Sequence, residues 1–321
     1  MDQRADRIAL MFPGQGAQRP GMGLPWLDSP HWRVVDAVSQ RVGRDVGALL
    51  VDADAETLRR TDNAQLATFT LEMVILQAVR AAVPGLPVVA CAGHSLGEYG
   101  ALVAAGVLKI EDAAVVVAAR GAAMADAARA VPGTMAVLIG GDIESAVRLT
   151  HGLRAEGAQV WPANVNGPAQ TVVSGTVEGV ELLAERAGPA GFRVTRIPVG
   201  GAFHSPLMLP AQQRLAAALE GIALRSARIP VVANVDGQVH GGDPVEWPRL
   251  MIRQLVEPVL WDHGVRTLAG PDCGATELVE LGPGAILGGL ARRIAPALPS
   301  TAVGTPEQVA ALAERFATAI V

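Results

Sequence analysis

The amino-acid sequence predicts an α/β protein: a larger unit built on a parallel sheet and interrupted by a smaller unit of its own. Three observations carry this reading. Short β-type runs alternate with longer Ala-rich helical stretches, the pattern of strands joined by crossover helices. One strand passes into a helix through Gly93-His94-Ser95-Leu96-Gly97, a tight Gly-flanked turn. In the middle of the chain the order changes to strand, helix, strand, strand, helix, strand.

Taken in order, residues 8–12 (IALMF) read as a buried strand ending in the loop PGQGAQ, and residues 64–82 as an apolar helix. Residues 86–93 form a second strand, residues 97–108 the helix after the turn, and residues 111–130 another helix. Val131-Pro132-Gly133 then breaks the chain. Beyond it, strands at 135–140, 159–166, 170–175 and 192–199 and helices at 143–153 and 177–188 give the ferredoxin-like split unit. The expected division is therefore 1–131 and 200–321 for the large unit and 132–199 for the small one. The large unit resumes with a helix near 211–221, a strand at 229–235, a helix around 246–255, a strand at 275–282 and a C-terminal helical segment.

Composition narrows the function classes. Of 321 residues, 50% are hydrophobic and 18% charged, enough apolar material for a sizeable core. A net charge of −5 of mixed sign lacks the concentrated basic face that nucleic acid requires. No window reaches a membrane span and the first residues do not read as a leader, so no membrane association and a cytoplasmic location are expected. Cys91 and Cys273 form no metal-type spacing; they read as small core residues, with neither disulfide framework nor zinc site.

Ser95 carries the strongest chemical signal. In a nucleophile elbow the serine sits on a strained strand-to-helix turn, its small neighbours letting the backbone pass; Gly93 and Gly97 supply that room. The turn also opens a helix, so the Leu96 amide is free to stabilise developing negative charge. Among 36 glycines the pattern alone could arise by chance; its strand-to-helix setting gives it meaning. A serine hydroxyl needs a base, usually histidine. Of six histidines, His94 adjoins the serine and points elsewhere, while His31, His151, His240 and His263 read as solvated. His204, in the Gly-flanked loop Gly200-Gly201-Ala202-Phe203-His204-Ser205-Pro206, follows a strand and is preferred. The residues alone leave the others open. Arg120 lies in the helical run AAVVVAARGAAMADAA, otherwise uncharged between Asp112 and Asp126. A helix apolar on all sides is usually buried, and an arginine fixed there needs a carboxylate or phosphate partner. A structural salt bridge or a snorkelling side chain explains it equally well at this level.

With GQGAQ, GHSLGEYGAL, an arginine in the helix beyond, ANVNGPAQTVVSG, GAFHS and ELGPGAILGGL in that order, the chain resembles malonyl-CoA:acyl carrier protein transacylases and the acyltransferase domains of polyketide synthases, from about residue 7 to residue 295. The resemblance implies an α/β-hydrolase-like large domain with the ferredoxin-like insert. It implies Ser95 as the acylated nucleophile and His204 as its base, oriented by the region of Gln254 instead of a triad aspartate. Gln15 and Leu96 would supply oxyanion amides, and Arg120, Phe203 and Met124 would bind the substrate, with Arg120 clamping the free carboxylate. Leu96 and Phe203 match the malonyl-selective pattern, in which a bulky Phe203 leaves little room for a methyl branch. Gly100 departs from the family, where Ser, Thr or Ala is common. A coenzyme A thioester is the implied donor and the phosphopantetheine of an acyl carrier protein the acceptor, with no bound cofactor, no metal and a monomeric enzyme serving fatty-acid or polyketide synthesis.

Two rivals use parts of the same sequence. An esterase or editing hydrolase shares G-x-S-x-G, but an ordinary α/β-hydrolase places its histidine near the C-terminus, and hydrolytic relatives of the family tend to lack the arginine. A non-enzymatic docking homologue would be expected to have lost Ser95, His204 or Arg120.

Overall fold

The structure, a computed structural model, describes residues 6–318. Among the described residues, ten strands form two sheets. The larger has the order β10-β9-β1-β2-β7-β8, from β1 (Ile8–Phe12), β2 (Val88–Gly93), β7 (Val231–Val232), β8 (Val239–His240), β9 (Glu277–Leu281) and β10 (Ser300–Val303). β10, β9, β1, β2 and β7 run parallel, and β8 turns back antiparallel on β7. Strand periodicity of two sends alternate side chains to opposite faces. Ile8, Leu10 and Phe12 join the core under the Thr61–Ala82 and Ile110–Ala130 helices. Ala9 and Met11 join the core under the Trp261–Ala269 and Ile286–Ile294 helices. A parallel sheet covered on both faces explains why these strands read as continuous apolar runs.

The smaller sheet has the order β4-β5-β3-β6, from β3 (Gly133–Ile139), β4 (Val160–Gly167), β5 (Gln170–Thr176) and β6 (Arg193–Ile197), with every pairing antiparallel. The Ile143–Ala155 and Val177–Ala187 helices cover one face around Ala136, Leu138, Leu153, Val173 and Leu183. This is the ferredoxin-like subdomain, inserted in an α/β-hydrolase-like large domain. Its other face turns to the large domain, and β4 is stitched there by Val165 N–H to Val259 O at 2.8 Å and Val259 N–H to Ala163 O at 2.9 Å.

The structure departs from the sequence pattern in four places. The strand expected at 229–235 pairs only at Val231–Val232, because the chain reverses at once: Ala233 N–H bonds Gln238 O. Trp261–Ala269 is a helix with no anticipated counterpart, and β10 precedes the C-terminal helix Pro306–Thr318. Between Leu24 and Arg59, where no element was expected, lie two 3-10 turns and three short helices. At Gly100, a Cβ would come within 2.8 Å of Glu72 Oε2 and of the Phe12 ring, so the space a larger residue would use is filled from the Thr61–Ala82 helix and from β1. Glu72 is wholly buried, both its carboxyl oxygens lack a partner among the described residues, and burial, then the nearby Glu280 charge, push its pKa well up.

Candidate active site

The loops that follow β1, β2, β7 and β9 all leave the sheet at its carboxyl edge, where open α/β sheets bind their ligands. There the chain after β2 makes a turn that only this packing permits. A Cβ on Gly93 would lie 2.0 Å from the Gly97 carbonyl carbon, and one on Gly97 would lie 2.0 Å from Phe12 O. Between them Ser95 has φ +53°, a left-handed conformation that costs a non-glycine residue roughly 1–3 kcal/mol. Two residues far along the chain hold it. Asn234, just past β7, accepts the Ser95 N–H at 2.7 Å through Oδ1 and donates through Nδ2 to Gly93 O at 2.6 Å. Gln254 donates through Nε2 to Ser95 O at 2.9 Å.

His204 is the second non-glycine residue with positive φ, at +56°. Its loop is pinned by Ser205, whose hydroxyl donates to Ala202 O at 2.6 Å and caps the Pro206–Met208 turn. His204 Nε2 stands 2.7 Å from Ser95 Oγ, and Nδ1 stands 2.7 Å from the backbone carbonyl of Gln254. A carbonyl can only accept, so Nδ1 carries the proton and Nε2 accepts from the serine hydroxyl. Burial, and then the Arg120 charge, hold the imidazole pKa down to about 3. The ring is therefore neutral at ordinary pH.

Arg120 is 1% exposed. Its Nη1 donates to Gln65 Oε1 at 2.6 Å, and its Nη2 to Gln254 Oε1 at 2.9 Å and Ser95 Oγ at 3.1 Å. Tyr99 lies against the guanidinium, its ring centroid 5.6 Å from Cζ. Among the described residues no carboxylate forms an ion pair with it, so the structural salt bridge that the sequence allowed is not what holds it. A buried cation contacted only by neutral acceptors leaves a full positive charge facing the serine.

Ser95, Arg120 and His204 open on a cavity of about 190 Å³. Gln15, Met124 and Phe203 also line it, as do Met135, Asn164, Asn166, Val172 and Ile197 from the small subdomain. The Leu96 side chain is fully buried in the core and does not line it. The Gln15 and Leu96 N–H groups donate to no acceptor within the described protein. Gln254 contributes both its backbone carbonyl and its side chain.

Five polar residues at the site escaped the sequence reading: Gln65, Glu98, Asn164, Asn166 and Asn234. Gln65 bridges Arg120 and the Met124 sulfur, its Nε2 lying 3.3 Å from Sδ. Asn166 accepts from His94 Nε2 at 2.8 Å, so His94, edge-on to Trp261, lies half-buried at the join between subdomains. Asn234 had one usable signal, a polar side chain directly after a strand of a parallel sheet. Cys91 and Cys273 are buried free thiols, and burial drives Cys91 to about 12. No group of three or more metal-ligating side chains occurs among the described residues, and no helix there is long and apolar enough to cross a membrane.

Residues 10–313 match the family model described as acyl transferase domain. The chain is 37% identical to the malonyl CoA-acyl carrier protein transacylase of Bacillus subtilis over 306 residues, covering 94% of this chain and 95% of that one. It is also 37% identical to the protein of the same name from Escherichia coli K12 over 314 residues, covering 96% and 99%. Among solved structures, a malonyl-CoA:acyl carrier protein transacylase from Xanthomonas oryzae superposes with a TM-score of 0.89 at 34% identity, covering 96% of this chain and 98% of that one. A malonyl-transacylase in complex with its type II PKS acyl-carrier protein gives 0.91 at 34% identity, covering 97% and 100%.

Proposed function

The chain belongs to the acyl transferase domain family, among the malonyl CoA-acyl carrier protein transacylases, and from that premise we propose that Ser95 takes a malonyl group from coenzyme A and passes it to the phosphopantetheine thiol of an acyl carrier protein. The observation that carries the dicarboxylic part of this reading is Arg120, a buried guanidinium 3.1 Å from the nucleophile with no carboxylate ion-pair partner among the described residues. Its planar fork suits a carboxylate, which would take the place of the Ser95 hydroxyl as acceptor.

Ser95 Oγ attacks the thioester carbonyl while His204 Nε2, 2.7 Å away, takes its proton. The Gln254 carbonyl on Nδ1 keeps the other face of the ring protonated and steadies the imidazolium. The Leu96 and Gln15 amides receive the oxyanion. Collapse expels the coenzyme thiolate, which takes the proton from His204 and leaves a seryl ester. The carrier thiol repeats the sequence in reverse, giving its proton to His204 and attacking the ester. Pairing Arg120 with the malonyl carboxylate also removes the second influence that holds the His204 pKa down, so the right substrate strengthens the base.

The cavity fits a short acyl group and is far too small for the coenzyme. A neighbouring groove of about 540 Å³ shares Ile286 and Leu290 with it and carries Arg292 and Arg293, a path suited to the pantetheine arm with cations for phosphate or an acidic carrier surface. No bound cofactor takes part, and the reading carries with it a monomer acting in the cytoplasm, where coenzyme A thioesters and carrier protein meet. Incubation with malonyl-CoA alone should add one malonyl group to the intact protein, mapped by peptide mass to Ser95, because the transfer is ping-pong. Ser95→Ala should show no adduct; a label on any other residue contradicts the assignment.

A further inference from the structure

We propose that Glu98 is a positioning residue whose negative charge holds the Ser95 turn and the Gln254 side chain in their working geometry, so that the enzyme loads acyl groups only while Glu98 is ionised. This rests on reading Ser95 and His204 as the reacting pair.

Glu98 opens the Gly97–Ala104 helix, a place where an acidic side chain ordinarily faces water, yet it is 1% exposed. Both its oxygens are in use. Oε1 accepts the Asn234 N–H at 2.7 Å and Oε2 accepts Gln254 Nε2–H at 2.5 Å. Those donors belong to the two residues that grip the nucleophile: Asn234 Oδ1 takes the Ser95 N–H, and Gln254 Nε2 reaches Ser95 O. Gln254 in turn presents Oε1 to Arg120 and its backbone carbonyl to His204. One carboxylate thus aligns the residues that set the serine, the base and the guanidinium. Because both partners are donors, a proton on either oxygen finds no acceptor in them and turns a charged acceptor into a weaker neutral one. Losing either bond frees one grip on a residue held at φ +53°.

The charged and titratable groups facing Glu98 are Arg120 from the Ile110–Ala130 helix, which favours its ionised form, Asp236 from the turn after β7, which opposes it, and Tyr99 beside it on the same helix. Burial outweighs the rest and lifts the carboxyl to about 7. His204, held near 3 in the free enzyme, does not change charge there in that range. The acid limb of loading near neutral pH therefore belongs to Glu98. The sign for stability is opposite. Between its ordinary value of 4.5 and about 7 the folded chain binds this proton more readily than the unfolded chain, so this group's contribution to stability grows as pH falls while loading declines.

The test is single-turnover loading from malonyl-CoA, followed by intact mass from about pH 5 to 8.5, at saturating and limiting substrate. The native enzyme should lose rate below neutral by about tenfold per pH unit, as one titrating group requires. Glu98→Gln keeps the shape without the charge; it should load on the order of 10²-fold more slowly at pH 8, the cost of a small misplacement, and show no limb across the range. Glu98→Asp should restore a limb at a shifted pH. A limb unchanged in Glu98→Gln overturns the proposal, as does a variant that loads at the native rate. Loading that persists in Ser95→Ala would instead remove the reading of the site on which it stands.

Discussion

On one side of the cavity Ser95, His204, Arg120 and Gln254 are joined by contacts of 2.7, 2.7, 2.9 and 3.1 Å into a single polar network. On the other side Phe203, Met124, Met135, Val172 and Ile197 form an apolar wall in which Asn164 and Asn166 are the small subdomain's polar members. The network comes wholly from the large domain, while the wall is shared between the two subdomains. The difference separates two tasks. Groups that move protons and hold charge must be over-determined, because each bond missing from a low-dielectric network costs more than it would in water. A wall that only excludes shape tolerates substitution, since one methylene is worth about 1–3 kcal/mol.

Breaking the network should therefore hurt far more than altering the wall. His204→Ala removes the proposed proton acceptor and should slow loading by about 10²–10⁴-fold, the usual contribution of general-base catalysis. Rapid-quench loading measures this, and a variant that loads at the native rate would place the base elsewhere. On the wall, Phe203→Ser should shift preference from malonyl-CoA toward methylmalonyl-CoA by on the order of tenfold while total loading stays within a few fold. Competition between the two thioesters reads the ratio directly. An unchanged ratio in a folded variant means that the Phe203 ring does not set the space beside the α-carbon.

The same division governs what could be seen in the sequence. Elements whose reason is local were legible: the apolar run Ile8–Phe12, the Gly93-to-Gly97 elbow, and the strand and helix order of the insert, which is realised in the sheet order β4-β5-β3-β6. β7 was read too long because apolar residues beyond Val232 pack without pairing. β10 and the Trp261–Ala269 helix went unread; both depend on edges and faces supplied by other elements. At the site, Ser95 was marked by its turn and Arg120 by a charge in an apolar helix. The residues alone rank His204 only modestly above five other histidines, since its distinction is 2.7 Å from an atom 109 positions away. Glu98 gave no signal, and Asn234 only a weak one, for a related reason. An acid in the first turn of a helix and an asparagine after a strand both have ordinary solvent-facing explanations, and only packing shows that they hold the serine.

The central claim is that this site selects a dicarboxylic acyl group through the charge of Arg120, and comparing malonyl and acetyl loading in Arg120→Ala tests it most directly. Removing one partner of a buried charge pair costs about 2–5 kcal/mol, so malonyl loading should fall by roughly 30- to 5,000-fold. Acetyl-CoA brings no carboxylate to be stranded and should load at least as well as in the native enzyme. Arg120→Lys should restore malonyl loading only in part, because an ammonium cannot make the two-pronged contact. Parallel loss of malonyl and acetyl loading would contradict the account, leaving Arg120 as a support for Gln65 and Gln254 and the acyl selectivity to be sought in the wall.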